Sequence, residues 1–168
     1  KDARGTLAHS AMMEFYTPEL GSWETYPDTV KTLTELRDNG FKMGLISNTK
    51  SDWAVRAILA KLNIAKFFDV VVTSAALRVR KPRLDIFSRA LAALDVKAAE
   101  TVCVGDSLQA DILGAKLAGI RAIYVSRGSS DHPHYVVPNV TVKSLTEALV
   151  QIIKWNGESV KEISHGNL

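Results

Sequence analysis

The chain has a single cysteine, Cys103. That excludes a disulfide framework and points to a thiol buried as a small hydrophobe in a reducing compartment. No apolar run approaches the roughly 20 residues needed to span a bilayer. The amino terminus is polar and lacks the apolar core of a signal peptide, so a cytoplasmic location is expected. There are no internal repeats and no low-complexity segments. The basic residues are scattered and form no stripe. The net charge of +3 therefore gives no indication of nucleic-acid binding. What remains is ordinary for a globular protein: 168 residues, 46% apolar and 23% charged, enough for one domain with a full core. The chain opens with Lys1 rather than Met, and we expect it to be part of a longer gene product.

Strand and helix patterns alternate along the sequence. Residues 7–16 carry Leu7, Ala8, Ala11, Met12, Phe15 and Tyr16 at helical spacing, ending before Pro18. Asp28 is placed to cap a helix with Val30, Leu33 and Leu36 on one face, and Gly40 to terminate it. Residues 43–47 read as a short buried strand. Ser51 and Asp52 then open a helix striped by Trp53, Val55, Ile58, Leu59 and Leu62. At this spacing Trp53 belongs to the core rather than to a ligand site. Residues 69–73 hold consecutive valines suited to a strand covered on both faces. A helix with Ile86, Phe87, Ala90, Leu91 and Leu94 inward follows Lys81-Pro82. Strands are expected at Val102 and at 122–125, with a helix after Asp106. Residues 126–139 read as a loop in which His132 and His134 lack a third metal ligand. Ser144 and Glu147 have capping-box spacing ahead of a last helix. Such alternation predicts an α/β fold, a parallel sheet with helices on both faces.

The densest chemistry lies in 102–111, where an apolar strand ends in Gly105-Asp106 and Asp111 follows one turn later. Open α/β sheets keep their ligand crevices at the carboxyl ends of strands. Two carboxylates there resist ionising together, and a hard divalent cation such as Mg²⁺ removes that penalty. Read alone, the stretch is equally a turn in which Asp106 caps the helix and Asp111 is solvated. Ser47 ends another strand and Lys81 stands at a helix entrance, so in a parallel sheet all three sites open on one edge. A hydroxyl, an ammonium and a carboxylate-bound cation suit a phosphoryl group.

These pieces resemble the haloacid dehalogenase-like hydrolase superfamily. They are Gly44-Leu45-Ile46-Ser47-Asn48, Lys81-Pro82 with Ile86-Phe87, and Val104-Gly105-Asp106-Ser107 with Asp111, Gly114, Ala115, Ala118 and Gly119. The Gly-Asp-Ser form is similar to the phosphatase branches. The resemblance implies a Rossmann-like core over 23–156, a remnant of a helical cap over 1–22 and a polar tail over 157–168. It implies catalytic roles for Ser47, Lys81 and Asp106, and substrate binding by Ser47, Asn48 and Lys81. Mg²⁺ would be held by Asp106 and Asp111, and the activity would be phosphatase-type hydrolysis of a small phosphorylated metabolite through an aspartyl-phosphate.

The family attacks with the first Asp of a strand ending Asp-x-Asp-x-Thr, the second Asp serving as acid and base. No such strand is present. The nearest match is Asp2-Ala3-Arg4-Gly5-Thr6-Leu7, where Arg4 replaces the acid/base carboxylate and a guanidinium does not deprotonate. In the family the absent strand lies between those ending at Ser47 and Asp106, so two edges should face a gap. The expected partner is the segment that supplies this strand, or a second copy of the chain. The alternative function is a non-catalytic binding or assembly domain that lacks the nucleophile.

Overall fold

The computed structural model describes residues 22–128 and 135–165, with side chains described to residue 157. The helix expected over 7–16, the Asp2 motif and the two loop histidines lie outside these residues. Helix α1 (Thr29–Asp38) precedes β1 (Gly44–Ser47), α2 (Asp52–Lys61) and β2 (Val70–Thr73). A single turn, α3 (Ser74–Leu77), leads to α4 (Leu84–Leu94) and β3 (Val102–Gly105). A wide π-type turn (Leu108–Ile112) runs into α5 (Leu113–Leu117). Then come β4 (Arg121–Val125), β5 (Val140–Val142) and α6 (Leu145–His165).

All strand pairs are parallel, as the alternation predicts, but they form two sheets, β1-β2 and β3-β4-β5. No ladder joins β1 to β3 among the described residues. Every residue of β3 is half-buried, whereas four of the five in β4 are buried. The sheets are held together by packing. Val72 of β2, Ile86 and Phe87 of α4, Ile112, and Ala122 and Tyr124 of β4 share one apolar cluster. On the opposite face the cores separate. Met43, Leu59 and Phe67 pack under the first sheet, and Ile123, Val125 and Ala148 under the second. Period-two alternation explains both sides: Ala122 and Tyr124 face one cluster, Ile123 and Val125 the other. The valines of β2 divide the same way, Val70 and Val72 against Val71.

Several local expectations hold. The Ser51 hydroxyl accepts from the Ala54 amide at the start of α2, and Gly40 adopts φ +79° after α1. Others need correction. Asp28 does not cap its own helix. Its carboxylate accepts from the Leu145 amide at 2.7 Å, capping α6 across the molecule, and it pairs with Arg127 at 3.2 Å. Arg127 in turn lies 3.7 Å over the Tyr26 ring. Val30 is exposed and Thr32 takes the buried position on α1. The stretch 126–139 is followed by the short edge strand β5, which three residues were too few to signal, and α6 continues past Gly157 to His165. The Ser144 hydroxyl accepts from the Glu147 amide, but Glu147 reaches back to the Lys143 amide instead of closing a reciprocal box.

The Asp28 junction gives a prediction. Burial alone would raise the Asp28 carboxyl, but the Leu145 amide and the Arg127 guanidinium outweigh it and hold its pKa below the ordinary 3.8. Its contribution is therefore present above that value and is lost as pH falls through the lower folded pKa. Asp28→Ala is expected to lower the unfolding free energy by about 1–2 kcal/mol in urea titrations at neutral pH. The gap from the unaltered protein should shrink as pH falls below 3.8.

Candidate active site

Three chain segments meet where the two sheets face each other. β1 delivers Ile46 and Ser47, the loop before α4 delivers Lys81, and β3 with its following turn delivers Asp106, Ser107 and Asp111. The Lys81 ammonium is the meeting point. It donates to the Ile46 carbonyl at 2.9 Å and to Asp111 Oδ1 at 2.6 Å. Two of its three N–H groups are thereby used, leaving one for a further acceptor. The other Asp111 oxygen accepts from the Ser107 amide at 3.0 Å. Ser47 and Asp106 are thus each one residue from an atom tied to the Lys81–Asp111 pair.

By sequence alone Asp111 is equally a solvated residue and Asp106 a helix cap. Neither holds. Asp111 is buried at 6% exposure, while the cap is Ser107, whose hydroxyl accepts from the Ala110 amide. Asp106 is exposed and makes no hydrogen bond or ion pair among the described residues. The geometry follows from Gly105. A Cβ there would collide with the Asp111 carboxyl group, so only glycine lets that side chain fold back over the end of β3. The wide turn after Ser107, with both the Asp111 and Ile112 amides on the Ser107 carbonyl, completes the return. Gly114 does the same one level down, where a Cβ would overlap the Phe87 ring.

Lys81 already neutralises Asp111, so the repulsion expected between two bare carboxylates does not arise. Asp106 is the uncompensated charge. Ser47 is half-buried, and its hydroxyl has no hydrogen-bond partner among the described residues. The Asn48 carboxamide accepts from the Lys81 amide at 2.8 Å and donates to the Lys81 carbonyl at 3.1 Å, an arrangement that spacing could not signal. No cluster of three or more acidic, His or Cys side chains is present among the described residues. Asp106, exposed and without an ion-pair partner among the described residues, still fits a hydrated hard cation, because Mg²⁺ is commonly bound through one or two carboxylates and keeps several waters. The Cys103 thiol beside the Lys81–Asp111 pair is unsuited to nucleophilic work. Burial raises it to about 12, the Asp111 charge adding to the rise and Lys81 opposing it.

Comparison with known proteins gives a consistent result. A family model described as haloacid dehalogenase-like hydrolase matches residues 6–125. The chain is 34% identical to a glyceraldehyde 3-phosphate phosphatase of Methanocaldococcus jannaschii, over 86% of this chain and 63% of that protein. It is 32% identical to a phosphoserine phosphatase of Thermus thermophilus, over 83% of this chain and 55% of that one. Among solved structures, a HAD phosphatase from Thermococcus onnurineus superposes with a TM-score of 0.72 at 32% identity, covering 83% of this chain and 62% of its own. The chain thus spans less than two thirds of the length of each of these relatives. No helix among the described residues is long and apolar enough to cross a membrane.

The two aspartates should separate in stability measurements. Asp106→Ala is expected to change the unfolding free energy by less than about 0.5 kcal/mol. Asp111→Ala strands the Lys81 ammonium and should cost about 3–5 kcal/mol in the same denaturant titration. Cys103 should resist iodoacetamide in the native protein at neutral pH and react once the chain is unfolded in denaturant.

Proposed function

Since the chain belongs to the haloacid dehalogenase-like hydrolase family, we propose that the protein is a magnesium-dependent phosphatase of small phosphorylated metabolites. The observation that carries this reading is the Lys81 ammonium, which ties the end of β1 to Asp111 beside Asp106 and keeps one donor free. A phosphoryl group needs its charge spread over fixed donors and cations, and such a site supplies them already aimed.

In this reading the Ser47 hydroxyl donates to one phosphoryl oxygen and the free Lys81 N–H to another. Asp106 holds Mg²⁺, with Asp111 supporting it. The cation, when bound, offsets phosphoryl charge and orients the group. Asp111 has a second task, holding the Lys81 head in place so that it does not have to be ordered during the reaction.

The nucleophile is an aspartate outside the described residues, carried on a strand of the same polypeptide or of a second copy. Its carboxylate attacks phosphorus as the P–O bond to the leaving group breaks, giving an aspartyl-phosphate and an alkoxide that takes a proton from water. The resulting hydroxide then attacks the aspartyl-phosphate, releasing phosphate and restoring the carboxylate. The names of the relatives point to phosphorylated three-carbon compounds such as glyceraldehyde 3-phosphate and phosphoserine as first substrates to try. A cytoplasmic setting accompanies the proposal, on the ground of the lone inert thiol and the nature of such substrates.

The test is phosphate release by the full-length protein from those two compounds, with Mg²⁺ and with a chelator. Chelation should abolish the rate. Asp106→Ala and Lys81→Ala should each lower kcat/KM by about a hundredfold or more. Unchanged rates in both variants would remove this site from the reaction. No phosphate release under any condition would favour a non-catalytic binding or assembly domain.

A further inference from the structure

We propose that Asn48 is a positioning residue for Lys81, its carboxamide clamping the lysine's backbone so that the ammonium lands between Ile46 and Asp111. This rests on the reading of Lys81 as a phosphoryl-holding group and assigns how that group is aimed. The resemblance places Asn48 beside the substrate. In the structure both polar atoms of its side chain face the backbone of Lys81: Oδ1 accepts from the amide at 2.8 Å and Nδ2 donates to the carbonyl at 3.1 Å. The orientation of the carboxamide is dictated by these partners, because the flipped form would set N–H against N–H and oxygen against oxygen.

Residue 81 needs such a clamp. It sits in a connection between α3 and α4 that belongs to neither helix nor sheet. Only one backbone–backbone hydrogen bond lies within residues 78–83, from the Arg83 amide to the Arg80 carbonyl. Pro82 has no N–H to contribute. A lysine head rides on a flexible four-carbon stem, so its aim depends on where its Cα is held. Here both ends of Lys81 are tied to the carboxyl end of β1. Asn48 holds the backbone, and the Ile46 carbonyl receives the ammonium at 2.9 Å. Spanned between two points at the carboxyl end of β1, the stem has little freedom, and the head is directed across the sheet divide to Asp111. A carboxamide alone suits the task at this length. Aspartate keeps the acceptor but sets a carboxylate against the Lys81 carbonyl, and alanine keeps neither contact.

The experiment measures phosphate release by the full-length protein carrying Asn48→Ala, Asn48→Asp, Lys81→Met, and Asn48→Ala with Lys81→Met. It also follows the Lys81 ammonium by NMR in ¹⁵N-lysine-labelled protein, where slowed proton exchange marks a held ammonium. Asn48→Ala is expected to lower kcat by about 10- to 100-fold with KM little changed. Asn48→Asp should fall between Asn48→Ala and the parent. Once Lys81 is Met, the additional effect of Asn48→Ala should be less than about twofold. The ammonium signal should lose its slowed exchange in Asn48→Ala. Equal factors in both backgrounds, or a rise in KM alone, would mean that Asn48 meets the substrate itself and would overturn the inference. So would a lowered Tm with kcat intact, or an ammonium signal that keeps its slow exchange in Asn48→Ala. If Lys81→Met retains full activity, the phosphoryl-site reading fails instead, and the ammonium signal still decides whether Asn48 holds Lys81. That signal also decides where Lys81→Met is too slow to measure.

Discussion

The ammonium of Lys81 holds the candidate site of this molecule together. Its bonds to the Ile46 carbonyl and to Asp111 join the first sheet to the turn after β3, across a divide that no backbone ladder spans among the described residues. Below it, α4 and the apolar cluster it shares with both sheets hold the halves at a fixed distance. The pair is well shielded, with side-chain exposures of 14% and 9%. Such burial makes the pair weak support for overall stability but makes loss of either partner severe, because the survivor is left as an uncompensated charge. The site therefore remains assembled as long as the two sheets keep their spacing, and disassembles if either charge is lost.

Around that pair, backbone geometry rather than side-chain abundance defines the site. Gly105 leaves room for Asp111 to fold back, Gly114 brings α5 against Phe87 at the base of α4, and Ser107 caps the turn between them. Each of the two glycines permits a close approach that a methyl group would forbid. The result is a floor of bonded groups, Asp111 and Asn48, beneath groups with unspent bonding capacity: Ser47, Asp106 and the third N–H of Lys81. Groups held in place by such bonds can present their remaining donors and acceptors without reorganising when a ligand arrives, and that is the physical content of preorganisation.

Much of the fold was legible in the sequence because its signals are local. Valines in sequence, Ser51 ahead of an apolar stripe and the Ile86-Phe87-Ala90 face each state a period or a cap within a few residues. Errors fell where a residue's partner is distant. Asp28 looks like the cap of its own helix, yet its partners are Leu145 and Arg127. Strand β5 has three residues, too short for a period to register, and exists because β4 offers it an edge.

For the site the division is the same. Residue type and order by themselves determined that Ser47, Lys81, Asp106 and Asp111 fall at strand ends or helix entrances, since alternation and parallel pairing leave little choice. Only the tertiary structure decided which charge meets which. Asp106 and Asp111 are equivalent as letters, but one is exposed and unpaired while the other is buried against Lys81. Asn48 likewise becomes a clamp only because the chain returns, 33 residues later, to lay Lys81 beside it. Ion pairs and two-point hydrogen bonds form between surfaces brought together by packing, and a linear pattern carries no record of that meeting.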